Sequence, residues 1–174
     1  IQHDSRQVSP GDLFVAVPGF SVDGHDFLAQ SIGAGAAALL VQRDHESAWR
    51  PFVGRAAVLV ADDTRRALST AAASYYGHPS RELAVVGITG TDGKTTTSYL
   101  LTSMFEQAGY RVGRLGTVDA YISGAADSST ARMTTPEAPE VQRLLRRMVD
   151  AGCNLAIVES TSHGLALHRL DDVH

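Results

Sequence analysis

Apolar residues fall in short runs divided by glycine-rich and polar stretches, and their spacing alternates between two periods. Residues 13–17, 37–41, 58–61, 83–88, 112–115 and 154–158 are near-continuous apolar runs of strand length. Between them the apolar positions recur at three and four residues, as helices require. Phe27, Leu28, Ser31 and Ile32 make one such stripe. A second helix is capped by Asp63 or Thr64 and runs to about Tyr76, where Gly77, His78 and Pro79 stop it. Leu100, Leu101, Met104, Phe105 and Ala108 predict a third, ended by Gly109. Val141, Leu144, Leu145, Met148 and Val149 predict a fourth, with Pro136 in its first turn. Residues 119–135 are rich in Ser, Gly, Ala and Thr and predict an irregular or hairpin-like excursion, and Trp49-Arg50-Pro51 reads as loop. The order is strand, helix, strand, strand, helix, then a polar boundary at 80–82, then regular strand–helix alternation. That pattern predicts an α/β protein of two parts: a small α/β domain over residues 1–80 and a parallel-sheet domain of about three strands over residues 83–174.

Charge and cysteine usage narrow the setting. The 174 residues carry a net charge of −4, which offers no basic face to nucleic acid or an anionic membrane. The lone cysteine, Cys153, rules out an internal disulfide and a Cys-clustered zinc site, is expected in the core, and suits a reducing compartment such as the cytoplasm. Apolar runs are far shorter than the roughly 20 residues of a membrane span. The chain opens on Ile1-Gln2-His3 and stops at Asp171-Asp172-Val173-His174, so both ends read as cuts. Of the 15 cationic residues, 14 are arginine and only Lys94 is lysine.

That lysine lies in the most informative segment, Gly87-Ile88-Thr89-Gly90-Thr91-Asp92-Gly93-Lys94-Thr95-Thr96-Thr97, between a strand and a helix. Glycines there let backbone N–H groups converge on an anion, and the helix N-terminus adds its partial positive charge. Lys94 is then expected at the β- and γ-phosphates and the Thr95 hydroxyl on Mg²⁺. The strict phosphate-loop pattern asks for glycine at position 88, where this chain has Ile88. A lysine in a helix's first turn opposes the macrodipole, a cost that phosphate binding offsets. No Asn-Lys-x-Asp guanine signature accompanies the loop, since the only lysine is already used, which favours ATP over GTP.

The run Leu155-Ala156-Ile157-Val158 ends in Glu159, the placement by which a second strand of a phosphate-loop sheet offers a carboxylate to Mg²⁺. Small polar residues, Ser160-Thr161-Ser162-His163-Gly164, follow where such a strand opens onto its ligand edge. His163 is either a neighbour of Mg²⁺ or substrate, or a hydrogen-bonded histidine. His25 and His168 read as surface or hydrogen-bonded residues rather than ligands.

Four spaced motifs resemble the ATP-dependent Mur ligases of peptidoglycan synthesis. They are Asp4-Ser5-Arg6 with Pro10-Gly11-Asp12-Leu13-Phe14-Val15-Ala16, Gly19 and Asp23-Gly24; the loop 90–96; Thr134-Thr135-Pro136-Glu137; and Glu159-Ser160-Thr161-Ser162-His163-Gly164-Leu165. They are most similar to the branch that adds the third amino acid. The resemblance implies an N-terminal domain for a UDP-sugar, the first half of a P-loop ATPase domain, and a C-terminal domain beyond this chain. It implies that ATP phosphorylates the terminal carboxylate of UDP-MurNAc-L-Ala-D-Glu and that a diamino acid, meso-diaminopimelate or L-lysine, then forms the amide. By position it implies Ser5 and the loop Phe20-Ser21-Val22 at the uridine nucleotide. It also implies Thr134, Thr135, Thr161 and Arg169 at the muramoyl dipeptide. Gly90, Thr91, Asp92, Gly93, Lys94, Thr95 and Thr96 would hold ATP, and Glu159 Mg²⁺. Asp92 stands where Asn is usual, Met133 where Asn often precedes the threonines, Leu167 where Gln is common, and Thr161 where Ser is. The family also uses a carbamylated lysine that this chain lacks, so the chain by itself is expected to be inactive. Two other readings are a folylpolyglutamate- or cyanophycin-type ligase of the same superfamily and a non-catalytic nucleotide-binding protein. The N-terminal motifs argue against the first.

Overall fold

The first strand, β1 (Leu13–Val15), is followed by a helix, α1 (Leu28–Gly33), and then β2 (Ala38–Gln42), with which β1 pairs in parallel, Phe14 opposite Leu39. A short helix, α2 (Glu46–Trp49), leads to β3 (Ala57–Ala61), parallel to β2 on its other side. Trp49 is thus helical and not in a loop; its indole N–H donates to the Gln42 carbonyl at 3.0 Å, anchoring the turn after β2. Phe14, Leu28, Leu39 and Val41 are buried between this sheet and its helices. On its other face Val15 and Leu40 meet Leu68 of α3 (Thr64–Tyr75). The chain divides within α3 into two compact units, Ile1–Leu68 and Ser69–His174. The computed structural model describes residues 1–127 and 134–174.

In the second unit β4 (Ala84–Ile88) leads through the glycine loop into α4 (Lys94–Gln107) and on to β5 (Val112–Leu115). The excursion resolves into an antiparallel hairpin, β6 (Ala120–Ile122) and β7 (Ala125–Asp127), and Met133 lies outside the described residues. α5 (Ala138–Asp150), β8 (Leu155–Glu159) and the short α6 (Ser162–Ala166) complete the order. The sheet runs β4-β8-β5-β6-β7, five strands among the described residues where about three were expected. Strands β4, β8 and β5 are parallel, and the hairpin extends the sheet antiparallel to β5.

Two helices differ from their predicted form. α5 starts at Ala138 with Pro139, not Pro136, in its first turn, because Glu137 is still extended at φ −66° and ψ 154°. Its stripe Val141, Leu144, Leu145 and Met148 is buried as the periodicity required, and each such side chain contributes about 1.5–3 kcal/mol. In α4 the inward face is Ser98, Leu101, Thr102 and Phe105, whereas Leu100 and Met104 are 61% and 64% exposed. Short hydroxyls go inside because their bonds are met locally: Thr102 donates to the Ser98 carbonyl at 2.7 Å and Ser98 to that of Thr95 at 2.8 Å. Cys153 is buried as expected, and burial pushes its thiol pKa up.

Candidate active site

Strand register assembles the site in the second unit. Ile88 of β4 pairs with Glu159 of β8, and Leu115 of β5 pairs with Val158, so three parallel strands end side by side. The glycine loop leaves the first, Gly116-Thr117 the third, and Glu159 stands between them. Ligands of open parallel sheets bind at such strand ends.

Gly93 caps α4 in the left-handed region at φ +79°, which a side chain would disfavour, and so aims the first N–H groups of the helix at the loop. Lys94 folds back over it, its ammonium donating to the Gly90 carbonyl at 2.7 Å and the Thr91 carbonyl at 3.3 Å. The predicted loop thus lies at the start of α4, its glycines and Thr91, Asp92 and Thr96 exposed and Lys94 and Thr95 half-buried.

Glu159 is only 1% exposed, and among the described residues no cation pairs with it. Three hydroxyls hold it: Thr95 donates to Oε2 at 3.0 Å, Thr117 to Oε2 at 2.9 Å, and Ser98 lies 3.0 Å from Oε1. A charge so buried is costly without a counter-charge, and the donor set around it is all oxygen, the hard ligand type that Mg²⁺ prefers. Residues Thr95 and Glu159 therefore fit the ion expected of them. Gly116 is part of the same packing, because a Cβ there would sit 2.4 Å from Glu159 Oε1. Neither Ser98, Gly116 nor Thr117 was singled out from sequence. Their signals were present: polar residues at positions 95, 98 and 102 of one helix, and a Gly-Thr pair directly after a strand.

Thr134, Thr135, Thr161 and Arg169 are brought together with Glu159. Thr134 Oγ1 lies 3.0 Å from Thr117 Oγ1. Buried Thr135 donates to the Glu159 carbonyl at 2.9 Å and accepts from the Thr161 N–H at 3.0 Å. Thr161 caps α6 by accepting from the Gly164 N–H at 2.9 Å. Arg169 is 9% exposed, and its guanidinium donates to the Thr135 carbonyl at 2.9 Å and pairs with Glu137. These bonds make Thr135, Thr161 and Arg169 a mutually fixed frame. His163 sits in the exposed first turn of α6, and His168 pairs with Asp171 at 2.8 Å.

The first unit has its own cavity of about 700 Å³, lined among others by Asp4, Ser5, Arg6, Val17, Val22 and Gly24. Asp4 caps the short turn Ser5–Gln7 and is bound by the Arg6 guanidinium at 2.7 Å, which holds its carboxyl well below the usual carboxylate range. Ser5 is on the wall. Ser21 lies in the exposed turn beside it, between Gly19, whose N–H donates to Val22 at 3.0 Å, and Asp23. His25, expected to be surface or hydrogen-bonded, is buried at 4% exposure and hydrogen-bonded at both ring nitrogens.

The Mur ligase middle domain pattern matches residues 88–174, and the pattern described as Mur ligase family, catalytic domain, matches residues 1–76. The UDP-N-acetylmuramyl-tripeptide synthetase of Roseiflexus sp. (strain RS-1) is 46% identical over 95% of this chain and 32% of its own length. The UDP-N-acetylmuramoyl-L-alanyl-D-glutamate–2,6-diaminopimelate ligase of Clostridium botulinum is 38% identical over 98% of this chain and 34% of its own. A solved structure of a ligase of that second name superimposes with a TM-score of 0.78 at 26% identity, covering 98% of this chain and 33% of that one. The chain thus spans about a third of the length of the curated relatives it matches. The two family patterns together cover nearly the whole chain, in the order of its two units, and the chain belongs to the Mur ligase family.

Proposed function

We propose that this chain supplies the nucleotide-sugar and ATP-binding parts of a cytoplasmic ligase that adds the third amino acid of a peptidoglycan precursor. The substrates are UDP-MurNAc-L-Ala-D-Glu, ATP and a diamino acid, meso-diaminopimelate or L-lysine. Residues 1–80 hold the UDP-sugar and residues 83–174 contribute part of the ATP-binding domain. The observation that carries the reading is the buried Glu159, held among the described residues by hydroxyls alone, at the mouth of a glycine loop with one lysine. The names of the relatives support the choice of acceptor and donor.

In this reading the N–H groups of residues 90–96 and the start of α4 bind the phosphates, and Lys94 exchanges its two carbonyl partners for phosphate oxygens. Thr95 and Glu159, with His163 as a further candidate, hold Mg²⁺. When bound, the ion neutralises charge on the transferring phosphoryl group. Thr134, with the frame of Thr135, Thr161 and Arg169, orients the D-Glu carboxylate towards the γ-phosphate, and positioning of this kind is the main catalytic contribution open to the chain. The carboxylate oxygen bonds to phosphorus as ADP leaves. The incoming amine then bonds to the acyl carbon as phosphate leaves, losing a proton to give the amide. Ser5 and the turn carrying Ser21 hold the uridine nucleotide. Among the described residues no helix is long and apolar enough to cross a membrane. The test is phosphate release by the whole protein with UDP-MurNAc-L-Ala-D-Glu and each diamino acid. Release dependent on one of them is expected; none with either overturns the reading.

A further inference from the structure

The turn beside the first unit's cavity is held from behind by a cluster that joins the motif residue Asp23 to two histidines, His25 and His45, which no motif above includes. Asp23 closes the turn: it bridges to Pro18 and caps the helical turn Gly24–Phe27. Its Oδ1 accepts from the His25 backbone N–H at 2.9 Å and lies 2.7 Å from His25 Nδ1, and its Oδ2 lies 2.9 Å from His45 Nε2. His45 Nδ1 is in turn 2.8 Å from Asp44 Oδ1, and the two imidazoles stack at 4.2 Å between centroids.

Proton placement follows from the partners. The Gln42 backbone N–H points at His25 Nε2 from 3.0 Å, so that nitrogen accepts and the ring proton is on Nδ1, facing Asp23. His25 then has no lone pair left over, which argues against reading the Asp23, His25 and His45 trio as a metal site, close as its atoms are. His45 differs: both its nitrogens face carboxylates, which only accept, so this geometry is fully satisfied when both carry protons and the ring is an imidazolium. The groups facing it are Asp44 on its own turn, and Asp23 and His25 on the turn packed against it.

We propose that His45, which does not line the cavity, is a positioning residue for the nucleotide turn, and that its second proton sets how firmly Asp23 holds the turn in place. The proposal rests on reading this cavity as the UDP-sugar pocket. Val22 and Gly24, on either side of Asp23, are on the cavity wall, so any slackening of Asp23 reaches the pocket directly. The far end of the turn has an independent anchor, Arg65, which donates to the Pro18 carbonyl at 2.7 Å. That leaves the Asp23 end as the adjustable one.

Energetics agree in sign. The bonded Asp44 carboxylate, followed by the opposing effect of partial burial, leaves His45 raised above its ordinary 6.5. Burial opposes ionisation of Asp23, but the backbone and ring donors of His25 bring its carboxyl below the ordinary range. A group raised on folding contributes fully below about 6.5 and loses its contribution as pH rises through the folded value. Above that value one nitrogen turns a lone pair towards a carboxylate. Because His45 is 29% exposed and Asp44 72%, the effect is modest.

The test uses UDP-N-acetylglucosamine, whose diphosphate does not titrate near neutrality, bound to the whole protein by calorimetry from about pH 6 to 8.5, the range of imidazole titration. Wild type is expected to lose about threefold to fivefold in affinity across that range, with the midpoint matching the His45 ring titration seen by NMR. His45→Gln keeps a donor but has no proton to lose, and its affinity is expected to stay flat with pH. Asp44→Asn is expected to keep the low-pH affinity and move the fall to lower pH. Thermal melting at each pH confirms that the variants are folded. An unchanged pH profile in His45→Gln, or a flat one in wild type, overturns the proposal alone. No binding at any pH overturns the pocket reading and the proposal with it.

Discussion

The two polar sites of this chain treat their carboxylates in opposite ways. Around the first unit's cavity Asp4 is paired with Arg6 and Asp23 with two imidazoles, so the polar groups are already satisfied. In the second unit Glu159 is more deeply buried than either and has hydroxyl partners alone among the described residues. A neutralised wall recognises a ligand without demanding anything of it. A buried, uncompensated carboxylate raises the site's affinity for a cation and is stable mainly because three fixed hydroxyls hold it. The contrast is in keeping with the proposed division, binding at the first site and chemistry at the second.

Replacing Lys94 should break the comparison most sharply. In the whole protein Lys94→Ala is expected to lower phosphate release by about a thousandfold or more while leaving UDP-sugar affinity intact, since it removes the charge that the proposed reading sets against the transferring phosphoryl group. Retained turnover would show that the loop does not hold the reacting phosphates. Glu159→Gln should cost about a hundredfold in turnover, with a higher Mg²⁺ requirement. Yet its melting temperature should hold or rise, because an uncompensated buried charge has been removed. A strong loss of stability instead would make Glu159 a structural residue.

A smaller effect is expected of Gly116→Ala. The added methyl meets Glu159 Oε1 at 2.4 Å, so the carboxylate must shift, at about 1–3 kcal/mol of stability together with a loss of Mg²⁺-dependent turnover. Chemical denaturation and a Mg²⁺ titration of the same variant separate the two. Ser5→Ala should matter least. Losing one hydroxyl from a cavity wall should weaken UDP-sugar binding by about threefold to tenfold and leave the maximal rate unchanged. A drop in maximal rate at saturating substrate would mean that the two sites are not divided as the contrast suggests.

Much of this was legible along the chain, and the misses share a cause. Strand runs at 13–17, 37–41, 58–61, 83–88, 112–115 and 154–158 each contain or overlap an observed strand. The glycine loop, Lys94, Thr95 and Glu159 were identifiable because each is a local signature: a loop between strand and helix, a lone lysine, an acid at a strand end. Ser98 and Thr117 were not, since polar residues spaced along a helix and a Gly-Thr pair after a strand are weak marks that acquire a meaning only when Glu159 of a third element approaches. The same limit explains α4. Leu100 and Met104 looked like core by spacing, but the helix turns Ser98 and Thr102 inward because their hydroxyls bond to the backbone and, through Ser98, to Glu159.

The sequence by itself determined the α/β alternation, a glycine loop between strand and helix, the family resemblance and an acid at the end of a strand, because periodicity and motif spacing are properties of neighbours along one chain. Only the tertiary structure decided that β8 lies between β4 and β5, that a hairpin widens the sheet, that Glu159 faces three hydroxyls and that His45 backs the turn at Asp23. Apart from the hairpin, whose strands pair with near neighbours, each of these depends on register and on contacts between residues 22 to 71 positions apart, set by which apolar faces bury one another rather than by any local preference.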